Sequence, residues 1–217
     1  MSAVPLPPLP PDTGGPADGY RPGGRNMVDL LAADHHRIDA LCVELTDEST
    51  DPDRRHAVAE VLTATVVRHL SAEEQYLYPT VRLALPDGPD LADREVAADI
   101  ALLAALKALT AADPRDEAYP GQARRVAGML RRHATAAATE LFPPLRALAT
   151  DAELIRLGNR VEIAQEAAPT RPHPATPATP PWNRVVDPAV GVLDKVRDAI
   201  GRRQTYVEDL RPRGGAS

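Results

Sequence analysis

Apolar side chains recur at every third or fourth position through most of residues 27–166, and this periodicity limits the segment to helical folds. Proline-rich runs border it at residues 1–26 and 167–187, and their composition buries too little apolar surface to offset the entropy of ordering. Aromatic residues make up only 3% of the chain, which argues further against a sheet. We therefore expect an all-α domain between a disordered arm and an extended linker.

Four amphipathic helices are predicted in this domain, at about 27–46, 52–78, 90–112 and 117–142. Asp51 followed by Pro52 is typical of a helix start, whereas Pro79 and Pro143 are each expected to break or kink a helix at the preceding residue. Because the connections are short, the helices should form an antiparallel up-and-down four-helix bundle. A further helix at about 151–165 is expected to pack alongside.

Each predicted helix has one face that should point into the core. In chain order, these faces carry Leu31, His35, Ile38, Cys42 and Leu45; Val58, Leu62, Val66, His69, Glu73 and Leu77; Val96, Ile100, Leu103, Leu106 and Leu109 or their neighbours; and Val126, Leu130, His133, Ala137 and Leu141. His69 and Glu73 are four residues apart and so lie one above the other on the same face. Burying imidazoles and a carboxylate without partners costs several kcal/mol, which a divalent cation or a hydrogen-bond network would remove.

Two pairs of similar stretches indicate an internal duplication. They are HLSAEEQYLYP at 69–79 with HATAAATELFP at 133–143, and AADHHRIDAL at 32–41 with AADIALLAAL at 97–106. Superposing the copies matches His133 with His69. It places Ile100 opposite His35 and Ala137 opposite Glu73. The two helix hairpins are thus predicted to be copies of one unit, of which the first offers three metal-ligating side chains and the second offers one.

Less specific interpretations of these residues exist. A His-x-x-x-Glu pair on a helix is more often a surface contact than a metal site, and His35 could be a core histidine bonded to a carbonyl group. His36, His56 and His173 are interpreted as surface residues, and Tyr76 and Tyr78 as packing at the rim of the bundle. The conjunction of imidazoles and a carboxylate on one predicted core favours a metal, and this ligand mixture suits iron, manganese or zinc rather than calcium.

The combination of LLAADHHRIDAL, HLSAEEQYLYP and RRHATAAATELFP, within about residues 27–148, resembles the hemerythrin-like family, also called the HHE cation-binding domain family. The stretch PHPATPATPPWNRVVDPAVGVLDKVRDAI resembles C-terminal extensions of actinobacterial members. The resemblance implies an antiparallel four-helix bundle with a non-heme di-iron centre, bridged by two carboxylates and otherwise bound by histidines. It further implies oxygen binding or sensing, iron handling or redox chemistry.

By this resemblance the metal ligands are His35, His69, Glu73 and His133. Ile100 stands where a third-helix histidine is expected, and Ala137 where the second carboxylate is expected; Glu140 is a conceivable substitute for that carboxylate. We therefore predict an incomplete site with at most one metal ion. Iron is the expected metal, zinc and manganese are alternatives, and a site without metal remains the third possibility.

The function that follows from these residues is binding or sensing of oxygen, iron or oxidants, with dioxygen or peroxide as small-molecule partners. One alternative is an enzyme that decomposes peroxide at a single metal ion, although the sequence offers no separate acid-base pair or nucleophile. The other is a metal-free bundle that acts as a protein-interaction module. A binding protein is favoured over an enzyme, and the sequence names no protein partner.

Several classes of function and location are disfavoured by composition. A net charge of −6 argues against a nucleic-acid partner, and the absence of a long apolar run argues against a membrane span. The single cysteine, Cys42, and the lack of a secretory signal favour the cytoplasm. After the linker, residues 188–203 are predicted to form an amphipathic helix, and residues 204–217 a flexible tail. Docking of this helix on the bundle is favoured over contact with a membrane surface or with a separate protein.

Overall fold

The computed structural model describes residues 22–168, 170 and 204–210. These residues form seven α-helices: α1 (Met27–Thr46), α2 (Pro52–Ala72), α3 (Tyr78–Ala84), α4 (Gly88–Ala111), α5 (Tyr119–Ala136), α6 (Phe142–Leu148) and α7 (Asp151–Ala167). Two π-helical segments join α2 to α3 and α5 to α6, namely π1 (Glu73–Leu77) and π2 (Ala137–Leu141). A 3-10 turn spans Val207–Leu210, and the described residues contain no strand. The predicted all-α class is confirmed.

The four longest helices, α1, α2, α4 and α5, form an antiparallel up-and-down bundle. Helix α1 packs against α2 and α5, and α4 also packs against both α2 and α5, so that each of the four has two neighbours within the bundle. Helix α7 lies along α1 and α2, where the sequence predicts an additional helix. None of the helices in the described part of the chain is long and apolar enough to cross a membrane.

Local side-chain contacts fix where three of these helices begin. The side-chain oxygen of Asn26 accepts a hydrogen bond from the Asp29 amide at 2.8 Å and caps α1. The carboxylate of Asp51 accepts hydrogen bonds from two first-turn amides of α2 at 3.0 and 3.1 Å, with Pro52 beginning the helix. Thr150 starts α7 through a capping box. The positions of these N-caps fix where α1 and α2 begin, and polar residues of both helices lie in the core.

Pro79 and Pro143 do not end their helices, so the break, which was one of the two predicted outcomes, does not occur. The amide of Tyr78 instead bonds to the carbonyl of Glu73, which widens the helix into the five-residue π1 turn. The same arrangement recurs in π2. Each proline then lies in the first turn of the following α-helix, where its missing N–H is tolerated. The widened turn therefore replaces the expected break.

Two apolar clusters fill the bundle, one towards each end. The first includes Leu45, Leu62, Leu106 and Leu130, and the second includes Leu31, Leu77, Leu141 and Leu145. A group of buried polar side chains from α1, α2, π1, α4 and α5 lies between the two clusters. These are Asp34, His69, Glu73, Asp99 and His133, all at most 7% exposed. We call this level of the bundle the polar layer.

The first part of α4 departs from its predicted core face, whereas Leu106 and Leu109 are buried as predicted. Ile100 is 44% exposed, and Val96 and Leu103 are only partly buried. Asp99 and Leu102 are buried instead, at 1% and 2% exposure. Successive residues of an α-helix are turned by about 100°, so a shift of one residue moves a side chain from the core to its edge. The prediction that Ile100 faces the core is wrong.

The ends of the chain contribute one described segment outside the bundle. The predicted arm, linker and amphipathic helix lie almost entirely outside the described residues. Residues 204–210, which were expected in a flexible tail, pack on α2, with Leu210 joining an apolar cluster at 6% exposure. The guanidinium of Arg68 donates a hydrogen bond to the Thr205 carbonyl at 2.8 Å and lies 4.2 Å from the centre of the Tyr206 ring.

Candidate metal centre

Four side chains from different parts of the bundle meet in the polar layer: His35 of α1, His69 of α2, Glu73 of π1 and His133 of α5. One potential ligand atom of each lies within 4.8 Å of the others. The Nε2 atoms of His69 and His133 are 3.3 Å apart. Glu73 places Oε1 3.2 Å from Nε2 of His69, and Oε2 3.2 Å from Nε2 of His133. We call these four residues the candidate cluster; it contains all the metal ligands predicted from the sequence.

The candidate cluster leaves polar atoms that a cation would satisfy. Among the described residues, Nε2 of His35 is buried without a hydrogen-bond partner, and the buried Oε1 of Glu73 makes no hydrogen bond beyond its 3.2 Å contact with Nε2 of His69. The short contact between the Nε2 atoms of His69 and His133 also brings two imidazole nitrogens together beside one carboxylate. Unpaired buried polar atoms are costly, and a bound cation with three imidazole ligands and one carboxylate would remove that cost. The group is therefore able to hold a metal ion.

Two further carboxylates face the outer nitrogens of the imidazoles. Oδ2 of Asp34 lies 3.5 Å from Nδ1 of His69, and Oδ1 of Asp99 lies 3.3 Å from Nδ1 of His133. A carboxylate on this side favours a proton on Nδ1 and leaves the lone pair of Nε2 directed towards the centre of the cluster. Asp34 is itself held by Gln165 of α7, whose amide donates a hydrogen bond at 2.5 Å. The two aspartates thus orient the two histidines.

Tyr78 connects Glu73 to Asp99 within the core. Its hydroxyl oxygen lies 2.5 Å from Oδ2 of Asp99 and 3.1 Å from Oε2 of Glu73. One hydroxyl has a single proton, so it can donate to only one of the two carboxyl groups. Burial raises the pKa of Asp99. The two contacts place the Tyr78 side chain, which is 2% exposed, inside the core. The interpretation of Tyr78 as rim packing is therefore wrong.

Charge interactions inside the candidate cluster shift its pKa values in opposite directions. Burial lowers the pKa of His69, but the carboxylates of Glu73 and Asp34 outweigh burial and raise it to about 9. The pKa of His133 is raised well above its usual value by Glu73 and Asp99, also against burial. Burial lowers the pKa of His35 to about 3. Without metal, two imidazolium groups therefore surround an ionised Glu73, whose own pKa is lowered by them.

The residues considered as replacements for missing ligands lie elsewhere. Glu140 is exposed, and its carboxylate pairs with Arg94 at 2.8 Å on the surface, so it does not replace the carboxylate absent at Ala137. Ala137 is buried at 2% exposure. His36 and His56 are exposed, as predicted, and His173 lies outside the described residues. Cys42 is buried, and burial raises the pKa of its thiol to about 12, consistent with the predicted inert core residue.

Sequence reasoning missed Asp34, Asp99 and Tyr78. For Asp99 a signal was present, because the 64-residue offset that matches His69 with His133 also matches His35 with Asp99. The Ala-Ala-Asp similarity, at an offset of 65, led to Ile100 instead. Asp34 precedes His35 directly, but neither helical periodicity nor spacing shows that its side chain reaches the histidine of another helix.

Known proteins that are similar to this chain include cation-binding domains. Residues 26–145 match the family described as the hemerythrin HHE cation binding domain. A solved hemerythrin HHE cation-binding domain protein from Mycobacterium kansasii has a similar fold, with a TM-score of 0.57 and 22% sequence identity; the match covers 65% of this chain and 85% of that one. A DNA nickase from Nostoc sp. (strain PCC 7120 / SAG 25.82 / UTEX 2576) is 27% identical over 123 residues. That match covers 56% of this chain and 34% of the Nostoc protein.

Proposed function

The chain belongs to the hemerythrin HHE cation-binding family, and on that premise we propose that it binds one iron ion through His35, His69, Glu73 and His133. The observation that carries this proposal is the convergence of four ligand atoms within 4.8 Å of one another. Three imidazoles and one carboxylate form a mixed nitrogen and oxygen set that suits iron, with zinc and manganese as the alternatives. The single carboxylate supports one ion rather than two.

We propose further that this site serves to bind or sense oxygen, iron or an oxidant. Bound iron would supply a redox-active ion with room for a small exogenous ligand beside its four protein ligands. Other residues of this chain orient the ligands of that site and hold a proton beside it. Asp34 and Asp99 hold two imidazoles in place, and Tyr78 keeps a proton next to Glu73. Cytoplasmic location is part of the same proposal, supported by the single buried Cys42.

Peroxide decomposition at the same metal is the enzymatic alternative. Tyr78 and Asp99 form a buried pair that can exchange a proton next to Glu73, which a peroxide-splitting site would use. A turnover assay with hydrogen peroxide on the iron-loaded protein separates the two proposals. Spectral change without sustained oxygen release supports sensing or binding. Sustained oxygen release that is lost in Tyr78→Phe supports the enzyme.

Metal analysis after reconstitution tests the binding proposal directly. The full-length protein, incubated separately with iron(II), zinc and manganese and then desalted, should retain about one equivalent of metal. His69→Ala should retain much less. His56→Ala is the matched control, because this histidine lies on the surface of the same helix, and it should retain as much metal as the wild type. Metal well below one equivalent in the wild type would favour the metal-free interaction module instead.

The similarity to the Nostoc DNA nickase concerns only part of that protein, since the chain spans 34% of its length. We propose no nucleic-acid partner for this chain, on the grounds of its net charge of −6. An electrophoretic mobility assay with duplex DNA at low salt tests this. Binding that weakens steeply with added salt would contradict the proposal.

A further inference from the structure

A cavity of about 480 Å³ lies between α1 and α5 and is bordered by two residues of the candidate cluster, His35 and His133. Its remaining walls are mainly apolar and include Ile38, Leu130 and Phe142. The ring of Phe142 lies against the imidazole of His35, with centroids 5.8 Å apart and planes inclined by 20°. The cavity therefore connects the surface of the bundle with the side chains proposed to hold the metal.

Small side chains of the second half create this space. Ala134 and Ala138 line the cavity from α5 and π2. In the first half, 64 residues earlier, the position of Ala134 is held by Leu70, which is 2% exposed and packs in an apolar cluster. A leucine side chain at position 134 would occupy part of the volume that is open here. The cavity thus results from a specific difference between the two halves.

The size of the cavity exceeds what dioxygen or peroxide would need. A water molecule occupies about 30 Å³ in the liquid, and sites for organic molecules have volumes of about 300–1,000 Å³. The predominance of carbon in the walls favours an apolar body. The cavity therefore suits an organic molecule with a small ring or a short branched chain.

The charged groups at the cavity favour a negative head group. Arg131 lines it and forms no ion pair with another described residue. His36 and Asp39 also line it, and Asp39 contributes a negative charge. A metal ion in the candidate cluster would add positive charge at the other border, so that positive charge exceeds negative charge around a bound molecule. A guanidinium without a partner is a good donor to a carboxylate.

We propose that this cavity binds a small monocarboxylate with an apolar body, placing the body against Phe142 and the carboxylate at Arg131. The positive charge of a bound metal ion rests on the proposed function, whereas the cavity, its walls and Arg131 are independent of it. The ligand lies next to His35 and His133, so its binding alters access to the metal. The protein is then a metal centre whose exposure depends on an organic acid.

Fluorine NMR with 4-fluorobenzoate as the probe tests the proposal on the full-length protein, both metal-free and zinc-loaded. Saturable binding is expected in both forms. Ala138→Phe should fill the cavity and abolish binding of 4-fluorobenzoate. Ala108→Phe adds the same side chain at an exposed position of α4 and should bind the probe as the wild type does. Ala134→Leu is the second filling variant, should Ala138→Phe fail to fold by circular dichroism. No saturable binding, or equal binding by the filled variants, would overturn the proposal.

The head-group assignment is tested with Arg131→Gln and with two further probes. Arg131→Gln should weaken the binding of 4-fluorobenzoate about tenfold, because one charge-assisted hydrogen bond is lost. It should leave the affinity for 4-fluorobenzyl alcohol unchanged. Arg132→Gln, an exposed neighbour that does not line the cavity, is the control. Asp39→Asn should strengthen the binding of 4-fluorobenzoate, because it removes the negative charge at the cavity. Tighter binding of 4-fluorobenzylamine than of 4-fluorobenzoate would contradict the assignment. Because the metal-free form is measured separately, a failure of metal binding remains distinguishable from a failure of this proposal.

Discussion

The two halves of the bundle share a backbone design but differ in chemistry. Both contain a long helix, then a five-residue π turn, then a short helix with a proline in its first turn. The two π turns begin 64 residues apart. In the first half the π turn begins with Glu73 and is followed by Tyr78; in the second it begins with Ala137 and is followed by Phe142. The two halves thus share the same backbone arrangement, but only the first half has a carboxylate and a hydroxyl at these two positions.

This difference shows that the π turn does not depend on a metal ligand. The turn places residue i+5 on the same side as residue i, so Tyr78 reaches Glu73, and the equivalent Phe142 lies in the core beside His35. One half therefore uses the turn to build a polar site, and the other uses it to pack an aromatic ring. The internal duplication stays a prediction, which these parallels support.

The largest expected effect comes from removing the single carboxylate of the candidate cluster. Glu73→Ala should weaken iron binding by more than about a hundredfold, because even residues that only support a ligand commonly contribute 10–100-fold. Glu140→Ala removes the nearby carboxylate of the second half, which pairs with Arg94 on the surface, and should leave metal content unchanged. Competition with a chelator of known affinity measures both. An equal loss in the two variants would mean that Glu140 supplies a second carboxylate to the site.

The second effect is a pH dependence of opposite sign with and without metal. The folded-state pKa of His69 is raised from 6.5 to about 9, so its stabilising contribution is complete below pH 6.5 and is lost as the pH rises through 9. The metal-free protein should therefore lose up to about 3 kcal/mol of unfolding free energy over this range. Iron or zinc must displace these protons, so metal affinity should rise at least about tenfold per pH unit.

Urea unfolding of the metal-free protein at several pH values, together with metal titrations at the same values, measures this contrast. Glu73→Gln is the informative variant, because it removes the charge that raises the pKa of both His69 and His133. Its stability should depend less on pH than that of the wild type. A wild-type stability that stays constant between pH 6.5 and 9 would show that the imidazoles are not charged in the metal-free bundle.

A third expectation concerns the two aspartates that face the imidazoles, one from each half. Asp34→Asn and Asp99→Asn should each weaken metal binding about 10–100-fold without removing a ligand, because the orientation and basicity of His69 and His133 depend on them. Asp93→Asn, an exposed neighbour of Asp99 on α4, is the control. Metal affinities equal to that of the wild type would limit both aspartates to a role in folding.

Much of this molecule follows from periodicity. The core faces of α2 and α5 were predicted residue by residue, because apolar side chains at steps of three and four residues leave one consistent choice. His69 and His133 lie on those faces, and the structure brings both into the candidate cluster. Periodicity also placed His35 on the predicted core face of the first helix, and the structure brings it into the same cluster.

Other parts could not be predicted from the sequence. Alanine predominates in α4, so its apolar pattern allows two core faces one residue apart, and the wrong one was chosen at Ile100. The π turns were missed because a proline after a helical pattern usually indicates an end. Asp34 and Tyr78 act across helices, and side-chain contacts between helices depend on rotation and spacing that one sequence does not specify.

The smallest expected effect is also the most direct exchange between the halves. Tyr78→Phe gives the first half the aromatic residue of the second, and it removes the hydroxyl that lies between Glu73 and Asp99. We expect a loss of about 1–2 kcal/mol of unfolding free energy in the metal-free protein, because a buried carboxyl group loses its donor. Metal content should stay at the wild-type level, since no ligand is removed.

The reverse exchange, Phe142→Tyr, buries a hydroxyl beside His35, where Ala137 offers no carboxylate. It should also destabilise the protein, by about 1–3 kcal/mol, because the new hydroxyl has no partner from its own half. Adding Ala137→Glu to Phe142→Tyr would supply one and recover part of the loss, whereas Ala137→Glu alone would bury an unpaired carboxylate. Urea unfolding of the wild type, Tyr78→Phe, Phe142→Tyr, Ala137→Glu and the double variant at one pH gives these differences. Additive effects of the two substitutions would show that a tyrosine and a glutamate at a π turn do not form a unit.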